Sequence, residues 1–61
     1  MKTLFEITLI NDSKVYFIYN DIFEFFNSKS NYLNKNQYSI KNITYKRIRQ
    51  SEIKLYYHKV L

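Results

Sequence analysis

The side chains best suited to recognition lie in the last third of the chain, where basic and aromatic residues alternate. Arginine and lysine supply positive charge, whereas tyrosine rings supply flat surfaces on which nucleobases or apolar groups stack. The same residue types are favoured as anchors at protein interfaces. The pattern therefore indicates a binding surface for a protein or a nucleic acid, or else a solvated strand face with cross-strand aromatic pairs. The residues are Tyr45, Arg47, Arg49, Lys54, Tyr56 and His58.

Side chains that could catalyse a reaction are few. His58 is the single histidine, and no residue at a telling spacing partners it as a general base. Asp21 and Glu24 lie one helical turn apart, and helix capping explains this pair better than catalysis. The lack of cysteine, glycine and a second histidine excludes sulfur-bound zinc, glycine-rich phosphate loops and two-histidine metal sites. We therefore predict a protein that is not an enzyme and that uses no metal or cofactor.

The two halves of the chain carry opposite net charge. The 61 residues have a formal net charge of +5. Residues 1–27 hold two lysines and four acids, whereas residues 28–61 hold eight basic residues and one acid. A positive second half attracts phosphate groups or an acidic protein surface.

These side chains must be positioned by a small number of elements, the first of which is a hairpin within residues 3–19. Apolar residues recur at every second position from Phe5 and again from Val15, which is the alternation of half-buried strands. A three-residue connection would place Leu9 opposite Val15, with Asn11 or Asp12 in any left-handed position. A two-residue connection would mix Tyr16 and Ile18 into the apolar face, so the sequence leaves the register open.

The second element is a helix that begins at Asp21. Asp21 followed by Glu24 is a variant of the capping box, with acids where the helix dipole favours them. An apolar stripe then continues to Leu33, with Phe23 off its centre and left for solvent, a dimer mate or a partner. Helix propensity is poor over residues 27–31, and residues 34–37 are predicted to form a loop.

The third element is a second hairpin over residues 38–61, with a turn at Gln50-Ser51. This register separates an apolar face containing Ile48 and Ile53 from the outward basic and aromatic face. Ile43 prefers the opposite parity, so we expect an irregularity or bulge near Asn42.

The predicted fold is a single α+β domain over residues 1–61 with ββαββ order. Its four-stranded antiparallel sheet carries one helix on one face. The expected core is Phe5, Ile7, Leu9, Val15, Phe17, Ile22, Phe25, Phe26, Leu33, Ile48, Ile53 and Leu55.

In general character, the chain resembles the small proteins that phages and mobile elements of low-GC bacteria use against host defence, including anti-CRISPR proteins. The resemblance rests on size, on residues with AT-rich codons, on the lack of glycine and cysteine, and on the predicted strand order. It implies a non-enzymatic inhibitor that binds a host protein or nucleoprotein complex and blocks a nucleic-acid-handling defence enzyme. Many such inhibitors are acidic and imitate DNA, whereas this chain is basic, so DNA mimicry is not expected.

Two other functions stay open. One is a small DNA- or RNA-binding module, and the other is a structural homo-oligomer, such as a homodimer, joined through an exposed strand edge. The predicted partner-binding residues are Tyr45, Arg47, Arg49, Lys54, Tyr56, His58 and Phe23.

No run of apolar residues reaches the roughly 18 to 20 that span a bilayer. The absence of cysteine agrees with a reducing compartment. We therefore expect a protein without membrane contact in the cytoplasm, which is the host cytoplasm if a phage encodes it.

Overall fold

Residues 1–56 form a three-stranded antiparallel sheet with an α-helix on one face and a 3₁₀ helix on the other. The computed structural model describes residues 1–56. The strand order in the sheet is β2-β1-β3, so the first strand of the chain is the central one. The predicted α+β class is confirmed, whereas the predicted four-stranded sheet is not, because residues 1–56 form three strands. The elements are β1 (Lys2–Leu9), β2 (Lys14–Tyr19), α1 (Ile22–Lys35), a short 3₁₀ turn (Gln37–Ser39), β3 (Ile40–Ile48) and a 3₁₀ helix (Gln50–Leu55).

A three-residue connection over residues 10–12 joins β1 to β2. The Leu9 N–H donates to the Ser13 carbonyl at 2.9 Å and closes this loop. Asp12 has a φ of 67°, the left-handed value that such a loop needs before its bulge. Asn11 supports the turn, since its Oδ1 accepts from the Ser13 N–H at 3.0 Å. Asp12 thus takes the left-handed position that was predicted for Asn11 or Asp12.

The hairpin register preserves the predicted apolar face but not the predicted partners. Ile7 lies opposite Val15, and Phe5 lies opposite Phe17. The predicted register, with Leu9 opposite Val15, would place each partner two residues further along β2. Because the difference is an even number of residues, every side chain keeps its predicted face.

Helix α1 begins where its capping residues predict. The Asp21 Oδ1 accepts from the Glu24 N–H at 2.8 Å, while the Glu24 carboxylate accepts from the Asn20 side-chain amide at 2.9 Å. The first of these bonds satisfies an orphan backbone donor of the helix start, and Glu24 also accepts from the Asn20 backbone N–H at 3.3 Å. This hydrogen bonding confirms the capping interpretation of the two carboxylates.

Helix α1 is distorted in its middle and continues beyond the predicted end. Lys29 has φ −113° and ψ 15°, which are non-helical values within the stretch of poor propensity. The helix nevertheless reaches Lys35, where the prediction had a loop, because Tyr32 and Leu33 pack against the core. The Asn36 side chain donates to the Tyr32 carbonyl at 2.8 Å and caps this end. Within residues 1–56, no helix has the length and apolar character needed to cross a membrane.

The larger core lies between α1 and the sheet. Phe25 is fully buried and stacks on Phe5 of β1, with ring centroids 4.0 Å apart and an interplanar angle of 6°. Phe17 of β2 lies beside this stack, 6.3 Å from Phe25. Phe26, predicted to be buried, is instead 47% exposed. Neighbouring helical residues point about 100° apart, so Phe25 and Phe26 cannot both face Phe5.

A second core covers the opposite face of the sheet. Leu4 of β1, Ile48 of β3 and Ile53 of the 3₁₀ helix are all buried and pack together, with Ile18 partly buried against them. The 3₁₀ helix directly follows β3, and its Glu52 N–H donates to the Arg49 carbonyl at 2.9 Å.

The predicted fourth strand is replaced by this 3₁₀ helix within the described residues. A fourth strand beside β3 would leave Leu4, Ile18 and Ile48 facing water on the uncovered side of the sheet. Turning the chain back over the sheet buries Ile53 there, and a fully buried isoleucine is worth about 1.5–3 kcal/mol. Leu55, predicted to be buried, is 64% exposed as a result. Residues 57–61 of the predicted strand, His58 among them, lie outside the described residues.

Strand β3 pairs with β1 through a register shift. Thr8 lies opposite Asn42, whereas Leu9 lies opposite Ile40, so Lys41 is an extra residue. This shift confirms the irregularity predicted near Asn42. It places Ile40 and Ile43 on the helix side, where both pack against the larger core.

Candidate functional site

Strand β3 is the most exposed element of the sheet. Helix α1 lies over the other two strands, since Phe25 stacks on Phe5 of β1 and Tyr32 contacts Phe17 of β2 at 5.6 Å. The 3₁₀ helix covers β3 only near Ile48. Residues 44–47 are therefore exposed on both faces of the sheet. We define β3 together with Arg49 as the recognition strand.

The outer backbone edge of β3 is also free of strand pairing within the described residues. In an antiparallel sheet, alternate residues direct their N–H and C=O groups to opposite sides. The Leu9 N–H bonds toward β2, whereas the Ile10 N–H donates to the Ser39 carbonyl on the β3 side. Even-numbered residues of β1 consequently bond to β3, and their partners include Thr44 and Lys46.

The intervening residues of β3 direct their backbone groups away from β1. Ile43, Tyr45 and Arg47 alternate with the paired positions. Their N–H and C=O groups therefore form the outer edge of the sheet. Such an edge is a template for pairing with another chain.

The aromatic side chain of the recognition strand extends the ring cluster of the larger core. Tyr45 lies opposite Phe5 in the sheet, with ring centroids 5.8 Å apart, and is 60% exposed. Phe26 contacts the other end of the Phe5–Phe25 stack, 5.2 Å from Phe25. A row of four rings thus runs from exposed Tyr45 through the core to exposed Phe26. Rings fixed in this way lose little entropy when a partner packs against them.

The basic and aromatic residues do not share the single face that the sequence predicts. Arg47 lies opposite Thr3, so it shares the helix side of the sheet with Tyr45. Lys46 lies on the 3₁₀ side, with its Nζ 6.0 Å from the centroid of the Tyr56 ring. Tyr56 itself packs beside Tyr16 of β2, 6.2 Å away, and is only partly exposed.

The physical reason for this division is that the chain after Arg49 forms a 3₁₀ helix, where a fourth strand was predicted to begin. With the 3₁₀ helix folded across the sheet, Tyr56 is carried to the face opposite Tyr45. Arg49 lies between β3 and the 3₁₀ helix, and Lys54 is exposed on that helix. The structure places Tyr45 and Arg47 on β3 with Arg49 directly after it, and Lys54 and Tyr56 lie on or after the 3₁₀ helix. The position predicted for His58 is outside the described residues.

Phe23 is exposed, as the helical pattern predicts. Its side chain is 76% exposed in the first turn of α1. Phe25, two residues later, points into the core instead. Phe23 therefore lies on the outer surface of α1, apart from the recognition strand.

An open depression of about 320 Å³ lies on the 3₁₀ side of the sheet, next to Lys46. Its carboxylate, Glu6, accepts from Lys14 Nζ at 3.2 Å and from the Tyr16 hydroxyl. Burial, together with the hydrogen bond and charge of Glu6, raises the pKa of the Tyr16 hydroxyl above its ordinary value. Because Glu6 interacts with both Lys14 and Tyr16, it links the side chains of β1 and β2 on this face of the sheet.

Residues 1–56 contain no group of three or more His, Asp or Glu side chains placed to bind a metal ion.

The sequence also contains evidence for the second core, in residues that lie between the alternating apolar positions of the hairpin. Leu4, Tyr16 and Ile18 are apolar or aromatic residues at positions that the hairpin pattern assigned to solvent. They show that both faces of the sheet need cover, and hence that a later segment must cross the second face. The isolation of β3 at the sheet edge follows from that crossing.

The chain matches no protein-family model, and neither its sequence nor its structure matches a curated protein or a solved structure.

Proposed function

We propose that this protein is a non-enzymatic binding protein that recognises another protein through its recognition strand. The carrying observation is that residues 44–47 are exposed on both faces of an edge strand whose outer backbone is also free of pairing by residues 1–56. Tyr45 supplies an aromatic anchor fixed against Phe5, and Arg47 and Arg49 supply positive charge beside it. Tyrosine and arginine are the residue types that most often dominate binding energy at protein interfaces.

The narrower form of this proposal is an inhibitor of a host defence enzyme that handles nucleic acids, of the anti-CRISPR kind. Support comes from the general character of the chain and from its strongly basic second half. Enzymes that handle nucleic acids often carry acidic residues near their metal or phosphate sites, and a basic strand is complementary to such surfaces. Binding there would block the enzyme without any chemistry by this protein.

The proposal is tested by affinity capture from bacterial lysate treated with nuclease, with variants of the recognition strand. Wild-type protein is expected to retain a defined host protein. Tyr45→Ala and Arg47→Glu are expected to release it, because each removes a central contact. Failure to capture any protein, or capture that both substitutions leave unchanged, would contradict the proposal.

Matched controls are present in the same chain. Tyr38→Ala removes a tyrosine that is more exposed than Tyr45 but lies in the short 3₁₀ turn before β3. Lys35→Glu reverses an exposed charge at the end of α1, away from the recognition strand. Both controls are expected to retain the partner.

A second candidate function is direct binding of DNA or RNA. The observation that favours it is the set of exposed cations along and beyond β3, namely Lys46, Arg47, Arg49 and Lys54. Binding of this kind weakens steeply as salt rises, because phosphate contacts release counterions. A titration with a labelled oligonucleotide at low and high salt distinguishes the two functions, since an absence of binding at low salt excludes this one.

A further inference from the structure

The outer edge of β3 offers a regular array of backbone hydrogen-bonding groups. Ile43, Tyr45 and Arg47 direct their N–H and C=O groups outward, as derived above from the pairing of β1 with β3. An extended peptide laid along this edge would pair with three consecutive outward residues. Peptide recognition by strand addition uses this geometry: backbone bonds give affinity and alternate side chains give specificity.

The other edge of the sheet is less accessible. Helix α1 packs on one face of β2 through Phe17, and Tyr56 packs on its other face beside Tyr16. Strand β2 also has six residues, against nine in β3. An added strand at β3 has open space on both faces, whereas at β2 its side chains would meet the helix and the Tyr56 ring.

The charge of β3 determines which kind of peptide segment fits its outer edge. Within β3 there are three basic residues and no acid. One of them, Lys41, already pairs with Asp12 at 3.0 Å, which leaves Lys46 on the 3₁₀ side and Arg47 on the helix side without a carboxylate partner among residues 1–56. An added strand with acidic residues on both of its faces would supply those carboxylates.

A second copy of the chain does not fit this edge well. Antiparallel pairing of two β3 strands centred on Thr44 places Lys41 opposite Arg47, and centring on Lys46 places two lysines opposite each other. Centring on Tyr45 places Lys41 opposite Arg49, and centring on Ile43 brings no acid to any cation. Like charges directly opposite destabilise strand pairing.

We propose that β3 binds an extended, acidic segment of a partner protein as a fourth strand of the sheet. The inference rests on the proposed function, because it specifies how the recognition strand holds its protein partner. Acidic side chains of the added strand reach Lys46 on one face and Arg47 on the other. An apolar side chain of the added strand packs on the exposed part of Tyr45.

The first test uses a synthetic peptide as long as β3, composed of Val, Thr and two adjacent central Glu residues. Adjacent positions on a strand point to opposite faces, so one Glu lies on each face of the added strand. On binding, the amide protons of Ile43, Tyr45 and Arg47 are expected to exchange with solvent much more slowly. Those of Thr44 and Lys46, which already bond to β1, are expected to change little. A matched peptide with Lys in place of Glu is expected not to bind.

The second test separates backbone pairing from side-chain contact. Tyr45→Pro and Tyr45→Val both remove the ring, but only proline removes the outward N–H, and the ladder to β1 does not use that N–H. Peptide affinity is expected to be lower in Tyr45→Pro than in Tyr45→Val by roughly tenfold or more. The proline variant loses the backbone hydrogen bond from residue 45 to the peptide, and its pyrrolidine ring obstructs strand pairing. A further measurement uses wild-type protein and a peptide methylated at the backbone nitrogens that would face β3. The methylated peptide is expected not to bind, because it cannot donate hydrogen bonds to β3.

The outcomes distinguish this inference from the proposed function. If Tyr45→Ala and Arg47→Glu release a captured protein but Tyr45→Pro and Tyr45→Val weaken its binding equally, the protein interface stands and strand addition is wrong. Strand addition is also wrong if the acidic peptide does not bind, if it protects β2 instead, or if an oligonucleotide binds more tightly at the same salt. Concentration-dependent self-association that protects the β3 amides would replace the acidic segment with a second copy of the chain.

Discussion

Tyr45 contributes both to the stability of the sheet and to the candidate binding surface. One side of its ring lies against Phe5, which is fully buried, while more than half of the residue faces solvent. Aromatic pairs of this kind add about 0.5–1.5 kcal/mol beyond the area that they bury. Substitution of Tyr45 therefore affects both folding and binding, and binding data on its variants need a measurement of stability beside them.

Phe25 is the residue on which the larger core depends most. We expect Phe25→Ala to lower the free energy of unfolding by about 3–5 kcal/mol, because it leaves a cavity over Phe5. Phe23→Ala is the matched control, and at an exposed position its effect is expected to stay within about 0.5 kcal/mol. Chemical denaturation measures both. Equal effects of the two substitutions would mean that α1 presents a different face to the sheet.

Tyr16 predicts a loss of stability at high pH. Burial and the hydrogen bond to Glu6 raise its pKa in the folded state above the ordinary 10.0. The protonated hydroxyl is therefore favoured by folding, and the stability linked to it is complete below pH 10 and lost as the pH rises through the folded pKa. Over roughly pH 8 to 11, the free energy of unfolding is expected to fall less in Tyr16→Phe than in wild type, and chemical denaturation measures it. Tyr38→Phe, at an exposed site, serves as the control, and identical curves for wild type and Tyr16→Phe would contradict the assignment.

At the scale of elements, the 3₁₀ helix has the role that a fourth strand was predicted to have. It buries apolar surface next to β3, but it does so by crossing the sheet, so that only every third or fourth residue reaches the core. Ile53 is buried and Leu55 is exposed, although a strand would place both on the same face.

This difference gives a direct test of the element. Ile53→Ala is expected to cost about 2–4 kcal/mol of folding free energy, since it opens a cavity against Leu4 and Ile48. Leu55→Ala is expected to change stability by less than about 0.5 kcal/mol. Thermal or chemical denaturation of the two variants is sufficient, and a similar large cost for both would restore the strand.

The features that sequence reasoning predicted correctly depend on neighbours in the chain. The left-handed residue at Asp12 and the helix start at Asp21 follow from local turn and capping chemistry. The end of α1 and the conformation after Ile48 depend on distant partners instead. Local propensity ended the helix early, whereas packing of Tyr32 and Leu33 on the core extends it to Lys35.

For the candidate site, the residue types were predictable from the sequence but their arrangement was not. Tyr45 and Arg47 do lie on one strand, as their spacing indicates, and Arg49 follows directly after its end. The grouping with Lys54 and Tyr56 is wrong, because it assumed that residues after Ser51 pair with β3. Strand pairing depends on contacts between residues far apart in the chain. The prediction of two hairpins paired each strand with its neighbour in sequence, which is the more common arrangement. Pairing of β3 with β1 leaves the recognition strand at an edge.

At the scale of the whole molecule, net charge and sheet topology act together. The formal charge of +5 is concentrated after residue 27, and β3 carries part of it at the edge of the sheet. Basic side chains on edge strands oppose association of identical sheets. The same charges attract an acidic partner, so one feature favours a foreign strand over a second copy.

Removing this charge is expected to permit self-association. We expect the double variant Lys46→Thr/Arg47→Thr to form oligomers that increase with concentration, because threonine favours strands and removes the repulsion. Lys35→Thr/Lys54→Thr removes the same charge elsewhere and is expected to behave as wild type. Light scattering over a concentration series provides the measurement. A double variant on β3 that stays as monomeric as wild type would show that charge does not protect this edge.

The central position of β1 also has a consequence for biosynthesis. Strand β1, Lys2–Leu9, receives its second neighbour only when Ile40–Ile48 has left the ribosome. Until then the backbone groups of β1 that face β3 are unpaired, and Ile40 and Ile43 are missing from the larger core. The sheet is consequently completed only after β3 has emerged, and ribosome-bound fragments that stop before Ile40 should be the species most in need of chaperones.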